Sequence, residues 1–291
     1  MTSKRIKKQK QDIIDVDSPF HPAFQSCRSV DEFQYLYKID EGSFGVIHGA
    51  KDKQTGELVA LKHLKKINER EGYTIAARRE LEILHKMRHP NIVADCGLAS
   101  TPSNEQVFIV MELVNYDLKA FMDTMYSNMQ LFSVEHFTPD VVTRWYPAPE
   151  ILLLFNDYSS PVDMWSVGCI FAELITLWPL FPGSSELDQM TKIFKTLGTP
   201  SDSIWPGYSE STVVRNLILD DYPPGGLRKE ISQELLSEDG LSLLQCFLTY
   251  DPSKRITAAA ALEHAYFNEQ PVAVEPAMFL ESPARSAVMP G

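Results

Sequence analysis

A single carboxylate, Glu80, sits in the middle of an apolar helical stripe. The spacing predicts a helix from Ile75 to Met87, on which Ala76, Ala77, Ile83, Leu84 and Met87 share the face of Glu80. A carboxylate in such a stripe costs several kcal/mol unless a cation meets it. The nearest unexplained cation is Lys62, on a strand predicted over Leu58 to His63. Alternation there puts Leu58, Ala60 and Lys62 on one face and Val59 and Leu61 on the other. Upstream, Phe33, Tyr35, Tyr37 and Ile39 alternate with polar or exposed positions, the period of a half-buried strand. Gly42 and Gly45 then interrupt the pattern before Val46 and Ile47 resume it, which predicts a hairpin with a flexible tip. Val107 to Met111 is a further strand.

Beyond Tyr116 the pattern becomes helical. Val162 to Thr176 is apolar almost all round, which predicts a helix buried at the centre of a helical lobe. Glu186 to Leu197 and Leu235 to Leu248 are amphipathic, and Pro200, Pro206 and the run Pro223-Pro224-Gly225-Gly226 mark connections. Residues 1–32 read as a disordered tail, basic at Lys4, Arg5, Lys7, Lys8 and Lys10 and acidic at Asp12, Asp15 and Asp17. Residues 271–291 form a second tail, with Pro271, Pro276, Pro283 and Pro290 spaced too closely for helices or central strands.

Composition narrows the function. A formal net charge of -12 argues against a binder of phosphate backbones, so no nucleic-acid partner is expected. The four cysteines, Cys27, Cys96, Cys169 and Cys246, form no CxxC pair, so neither zinc nor a disulfide framework is expected and a reducing, intracellular compartment is the simpler reading. No apolar run is long enough for a bilayer, so no membrane partner is expected either. The basic cluster near the N-terminus reads as a solvated tail or, less favoured, as a nuclear address.

Glycines at a hairpin tip, then a strand lysine, then a helical glutamate make a set with a shared chemistry. Glycines let backbone amides approach phosphates, the lysine offers a point charge, and the glutamate holds the lysine in place. With these in order, the chain resembles the cyclin-dependent protein kinases, and among them the PITSLRE-type subgroup. The matching pieces are Glu41-Gly42-Ser43-Phe44-Gly45-Val46, Val59-Ala60-Leu61-Lys62, His89-Pro90-Asn91-Ile92-Val93, Val142-Thr143-Arg144-Trp145-Tyr146, Ala148-Pro149-Glu150, Val162 to Ile170, and Leu197-Gly198-Thr199-Pro200. The resemblance implies an α+β, bilobal protein-kinase-like fold with a β-rich small lobe over 33–115 and a truncated helical large lobe over 116–270. It implies ATP as cofactor, with Ile39, Asp40, Glu41, Gly42, Ser43, Phe44, Gly45, Val46 and Ile47 over the phosphates. Ala60 and Met111 would line the adenine site, Glu112 and Val114 would offer hinge backbone hydrogen bonds, and Asp117 would lie near the ribose. Thr138 resembles the activating phosphorylation site, and Glu150 resembles the glutamate that pairs with a late arginine, here Arg255. Asp163 would ordinarily bond the catalytic-loop backbone. A cyclin-like protein partner would dock on the Ile75–Met87 helix.

The same resemblance exposes gaps. A kinase of this type needs His-Arg-Asp-x-x-x-x-Asn, whose Asp accepts the substrate proton, and Asp-Phe-Gly, whose Asp holds magnesium. Neither motif occurs in the sequence. The interval from Met111 to Ala148 is too short for a helix of roughly 15 residues and both loops. Asp117, Asp123, Glu135, His136 and Asp140 are the acids and histidine at hand, and they read as loop residues rather than a rebuilt site. No metal site is expected, Asp163 is left a buried carboxylate without its partner, and phosphoryl transfer is expected to be lost. Arg78 replaces an aliphatic residue that packs on the cyclin, and Pro147 replaces the arginine of Trp-Tyr-Arg-Ala-Pro-Glu. Asp40, in place of a first glycine, is familiar in the PITSLRE-type subgroup. Two readings compete: a pseudokinase-like interaction protein that binds ATP, and a shortened isoform or incomplete gene model of an active ATP-dependent Ser/Thr kinase of cell-cycle or transcription and splicing regulation.

Overall fold

A computed structural model describes residues 27–42, 45–64, 66–68, 72–73, 75–103, 106–114, 117–118, 122, 145–155, 159–216 and 220–271. The fold is α+β, and the chain divides into two compact units, Met1–Asn115 and Tyr116–Gly291.

The first unit runs β1 (Arg28–Ser29), β2 (Phe33–Gly42), β3 (Gly45–Asp52), β4 (Leu58–Leu64), β5 (Lys66–Asn68), β6 (Gly72–Tyr73), α1 (Ile75–Lys86), β7 (Asp95–Ser100) and β8 (Val107–Glu112). Six strands form one sheet in the order β1-β7-β8-β4-β3-β2, antiparallel except for β1 against β7. Strand β4 gives this sheet two different faces. On one, Val59 and Leu61 pack with Val30, Phe33, Ala50, Ala99, Phe108 and Val110. On the other, Leu64 joins Leu98, Val107 and Ile109, and Leu81 of α1 closes over them. Between β3 and β4, the carboxylate of Asp52 accepts the backbone amides of Gln54 (2.8 Å) and Thr55 (3.4 Å), and Gly56 takes φ +77°.

Two expectations for this unit need correction. Arg28–Glu32 belong to the fold rather than to a tail. Ser29 caps a 3-10 turn over Val30–Glu32, Val30 is buried, and the Arg28 guanidinium bonds Asp52 at 2.6 and 3.0 Å and Glu32 at 2.9 Å. A polar stretch hides this because its anchor lies 24 residues away in sequence. Strand β2 is also not half-buried. Phe33 is buried, but Tyr35, Leu36, Tyr37 and Ile39 are exposed, because bulges after Tyr35 and Lys38 break the alternation on an edge strand.

The second unit contains α2 (Pro149–Leu152), α3 (Pro161–Thr176), α4 (Glu186–Leu197), α5 (Thr212–Asn216), α6 (Leu227–Glu230), α7 (Glu238–Phe247) and α8 (Ala258–Leu262). Trp165, Phe181, Phe194, Trp205 and Tyr250 lie in its core. Helix α3 is buried along one side only. Trp165, Gly168, Cys169, Ala172 and Glu173 face inward while Val167 and Leu174 are exposed, so the expected all-round burial does not hold. Gly168 permits close packing of α7, since a Cβ there would come 2.6 Å from Cβ of Phe247. Helix α7 starts at Glu238 rather than Leu235 because Ser237 caps it, its Oγ accepting the amide of Gly240 at 3.0 Å. Among the described residues no helix is long and apolar enough to cross a membrane.

Candidate functional site

The first unit joins its lysine and glutamate directly. Nζ of Lys62 on β4 donates to Oε1 of Glu80 on α1 at 2.5 Å. The Lys62 side chain is 15% exposed and that of Glu80 37%, so the pair is half open to solvent. Glu80 is not sunk in an apolar face. Ile83 and Met87 are exposed at 59% and 44%, and the helix leans on the sheet through Leu81 beside Glu80.

Register places the other candidates around this pair. Ile47 stands opposite Lys62, and Ala60 opposite both Gly49 and Met111, so Ile47, Ala60, Lys62 and Met111 share the face that carries α1. Ala60 is buried, and Val46, Ile47 and Met111 are half-buried. Ile39, Asp40, Glu41 and Gly42 are exposed on the edge strand, where Lys38 bonds Glu41 at 2.6 Å and Asp40 accepts the amide of Glu41 at 2.8 Å. Ser43 and Phe44 lie outside the described residues.

The two glycines flanking that tip serve different purposes. A Cβ on Gly45 would collide with the carbonyl oxygen of His63, whereas a Cβ on Gly42 meets nothing within 4 Å among the described residues. Gly45 therefore lets β3 and β4 approach, and Gly42 lies exposed at the end of the edge strand. At the far end, the amide of Glu112 donates to Ala94 O and its carboxylate accepts the Ala94 amide, both at 3.1 Å. Val114 is exposed. Asp117 falls in the second unit and is exposed.

In the second unit, Glu150 and Arg255 form a buried bidentate pair at 2.7 and 3.0 Å. The guanidinium also donates to the carbonyls of Thr249 (2.9 Å), Pro161 (2.8 Å) and Tyr250 (3.1 Å), which satisfies all five of its N–H groups. It lies 5.2 Å from the ring of Trp165. Asp163 is exposed, so the cost expected for a buried, partnerless carboxylate does not arise. Thr138, Asp123, Glu135, His136 and Asp140 lie outside the described residues, as does the side chain of Arg78.

Sequence reading missed two supports of the Trp145-Tyr146 segment. Fully buried Gln189 donates to Trp145 O at 3.0 Å and accepts the Gly183 amide at 2.9 Å. Tyr146 donates to the buried carboxylate of Glu173 at 2.7 Å, and burial, then that carboxylate, push its phenol above the ordinary range. A glutamine on the buried face of the amphipathic helix α4 and a glutamate in the largely apolar sequence of α3 were the available signals. Burial likewise pushes the Cys169 thiol up to about 12.

These elements are those of a protein-kinase-like fold. The protein kinase domain model matches residues 33–134 and 127–267, and the chain belongs to that family. Within it, the chain is 41% identical to the serine/threonine-protein kinase PITSLRE of Drosophila melanogaster, over 92% of this chain and 34% of that protein. It is 43% identical to human cyclin-dependent kinase 11A over 91% of this chain and 40% of that protein, and 42% identical to rat cyclin-dependent kinase 11B, of which it covers 72%. The chain thus spans 34–40% of the fly and human relatives' own length. These alignments run over 327 and 317 positions, more than the 291 residues of the chain itself.

Proposed function

We propose that this chain binds ATP through its first unit and does not transfer the γ-phosphate, acting instead as a pseudokinase-like interaction protein. One observation carries the reading: the Lys62–Glu80 pair is in place, while the sequence contains neither His-Arg-Asp nor Asp-Phe-Gly. The groups present suit a nucleotide. Lys62 offers a cation held at fixed position, Gly42 lies exposed at the end of the edge strand, and Ala60 with Met111 gives a small, apolar floor for a base. The family's magnesium ligands have no counterpart in the sequence, so no step is assigned to the metal. Loss of a general base alone costs about 10²–10⁴ in rate, and loss of the metal ligands removes charge neutralisation at the phosphoryl group.

Relatives named as cyclin-dependent kinases support a cyclin-like partner, and the exposed Ile83 and Met87 supply an apolar docking face at the end of α1. A nuclear location is supported only by the basic run from Lys4 to Lys10. A fluorescent ATP analogue should bind wild-type protein and lose most of its affinity in Lys62→Ala. Labelled phosphate from γ-labelled ATP should not appear on protein substrates. Transfer at ordinary kinase turnover, on the order of 1–100 s⁻¹, would overturn the proposal.

A second reading has its own support. Alignments longer than the chain leave some positions of the relatives without a counterpart, and the family match falls into two stretches. Both favour a shortened isoform or incomplete gene model of an active Ser/Thr kinase. Sequencing the transcript across codons 120 to 145 separates the two, since a longer form encoding the loops would displace the first.

A further inference from the structure

Helix α1 is held to the sheet at a point that neither the phosphate-binding pair nor the apolar core explains. On its last turn, Nδ1 of His85 lies 3.0 Å from Oδ2 of Asp95 on β7. The two side chains differ sharply in exposure, 69% for His85 and 11% for Asp95. Asp95 is a fixed anchor. Its other oxygen accepts the amide of Gly97 at 2.9 Å, across a bulge in which Gly97 takes φ +115°. In the β7–β8 ladder it stands opposite Met111, on the strand that also borders Lys62's own strand. His85 by contrast reaches solvent.

We propose that His85 and Asp95 are positioning residues, fastening the C-terminal end of α1 to β7 and so holding Glu80 against Lys62, with a grip that tightens when the imidazole is protonated. A helix pinned at Glu80 and Leu81 alone can still swing about that point. A second attachment near its end sets its axis, and thereby the reach of the Glu80 carboxylate. Protonation converts a neutral hydrogen bond to a charge-assisted one and places a cation at the helix C-terminus, where the backbone dipole favours it. The other titratable or charged groups nearby are Glu82 and Lys86 on α1, Arg88 and His89 after it, Cys96 beside Asp95, and Glu112 of β8, whose carboxylate binds the Ala94 amide. Burial first, and then the carboxylates of Asp95, Glu112 and Glu57, push the Cys96 thiol up, so these carboxylates lie near the Asp95 end of the sheet, and a cationic imidazole is the complementary charge to Asp95.

For an exposed pair the effect is about two- to fivefold. Its consequence for nucleotide rests on reading Lys62 and Glu80 as the phosphate-binding pair. The test is amide hydrogen exchange over α1 in the full chain at pH 5.5 and pH 8, corrected for intrinsic exchange. A fluorescent ATP analogue is titrated under the same conditions. Wild type should show about two- to fivefold more protection of α1 at pH 5.5. His85→Gln and Asp95→Asn, which keep a neutral hydrogen bond, should lose that pH ratio. Equal ratios in wild type and both variants would overturn the proposal. A wild-type-only ratio in exchange, with analogue binding absent or indifferent to pH, would support the tether and remove the nucleotide reading instead.

Discussion

Two ion pairs in this chain look alike on paper and differ in what surrounds them. Lys62–Glu80 is half open, so its Coulomb energy is screened and its worth lies in placing a charge. Glu150–Arg255 is sealed, with side chains 0% and 2% exposed, and every donor of the guanidinium is spent. Removing one partner of the sealed pair leaves a charge with neither water nor counter-ion. Arg255→Ala is therefore expected to lower the unfolding free energy of the second unit by about 3–5 kcal/mol, read from urea denaturation followed by Trp fluorescence. A loss below about 1 kcal/mol would place the pair among those worth little. The Lys62–Glu80 pairing could be read from sequence for a physical reason, since a carboxylate in an apolar pattern demands a partner, whereas Glu150–Arg255, 105 residues apart, followed only from the resemblance to the kinase family. The exposure of Asp163 could not be read, because it depends on what packs against one side of α3.

Among elements, strands rich in alternating apolar residues were legible, and strands whose pairing is fixed from elsewhere were not. β4 and β8 announce themselves in Leu58–Leu64 and Val107–Glu112. β7 reads Asp-Cys-Gly-Leu-Ala-Ser, with no β-branched residue, and is a strand because β8 and β1 bond it on both sides. β1 is two residues long and is fixed by Arg28 reaching Asp52. The glycine hairpin shows the limit of motif reading most clearly, since two glycines of one motif answer to different needs. Gly45→Ala should push β3 off the carbonyl of His63 and cost about 1–3 kcal/mol. Gly42→Ala, exposed at the end of its strand, should stay within about 0.5 kcal/mol in stability and show its effect, if the phosphates pass there, in ATP-analogue affinity. Equal losses of stability from both would mean that the hairpin flexes enough to absorb either methyl group.

At the scale of the molecule, the apolar clusters of the first unit and those of the second share no residue among the described residues. The first unit's lie on the two faces of the sheet, and the second unit's are the aromatic cluster around Trp165 and Tyr250 and a smaller one around Leu243 and Phe247. Calorimetry of the full chain is expected to resolve two transitions, and two substitutions assign them. Arg255→Ala should lower one at neutral pH and leave the other in place. The second is assigned by acid. The Arg28 guanidinium and then the amides of Gln54 and Thr55 hold the Asp52 carboxyl below the ordinary carboxylate range, against the opposing effect of burial. A carboxyl whose folded value is depressed lends stability that is whole above its unfolded value, about 3.9, and that drains away as pH falls below it. Carboxyls of the second unit, Asp188, Asp202, Glu234 and Asp251, are held low as well, so both transitions should fall in acid. Asp52→Asn separates them: the first unit's transition should start lower at pH 7 and then change less between pH 5 and pH 3 than in wild type, while the other keeps its full acid dependence. A single transition that moves as a whole with either substitution would mean that the two units unfold as one cooperative body.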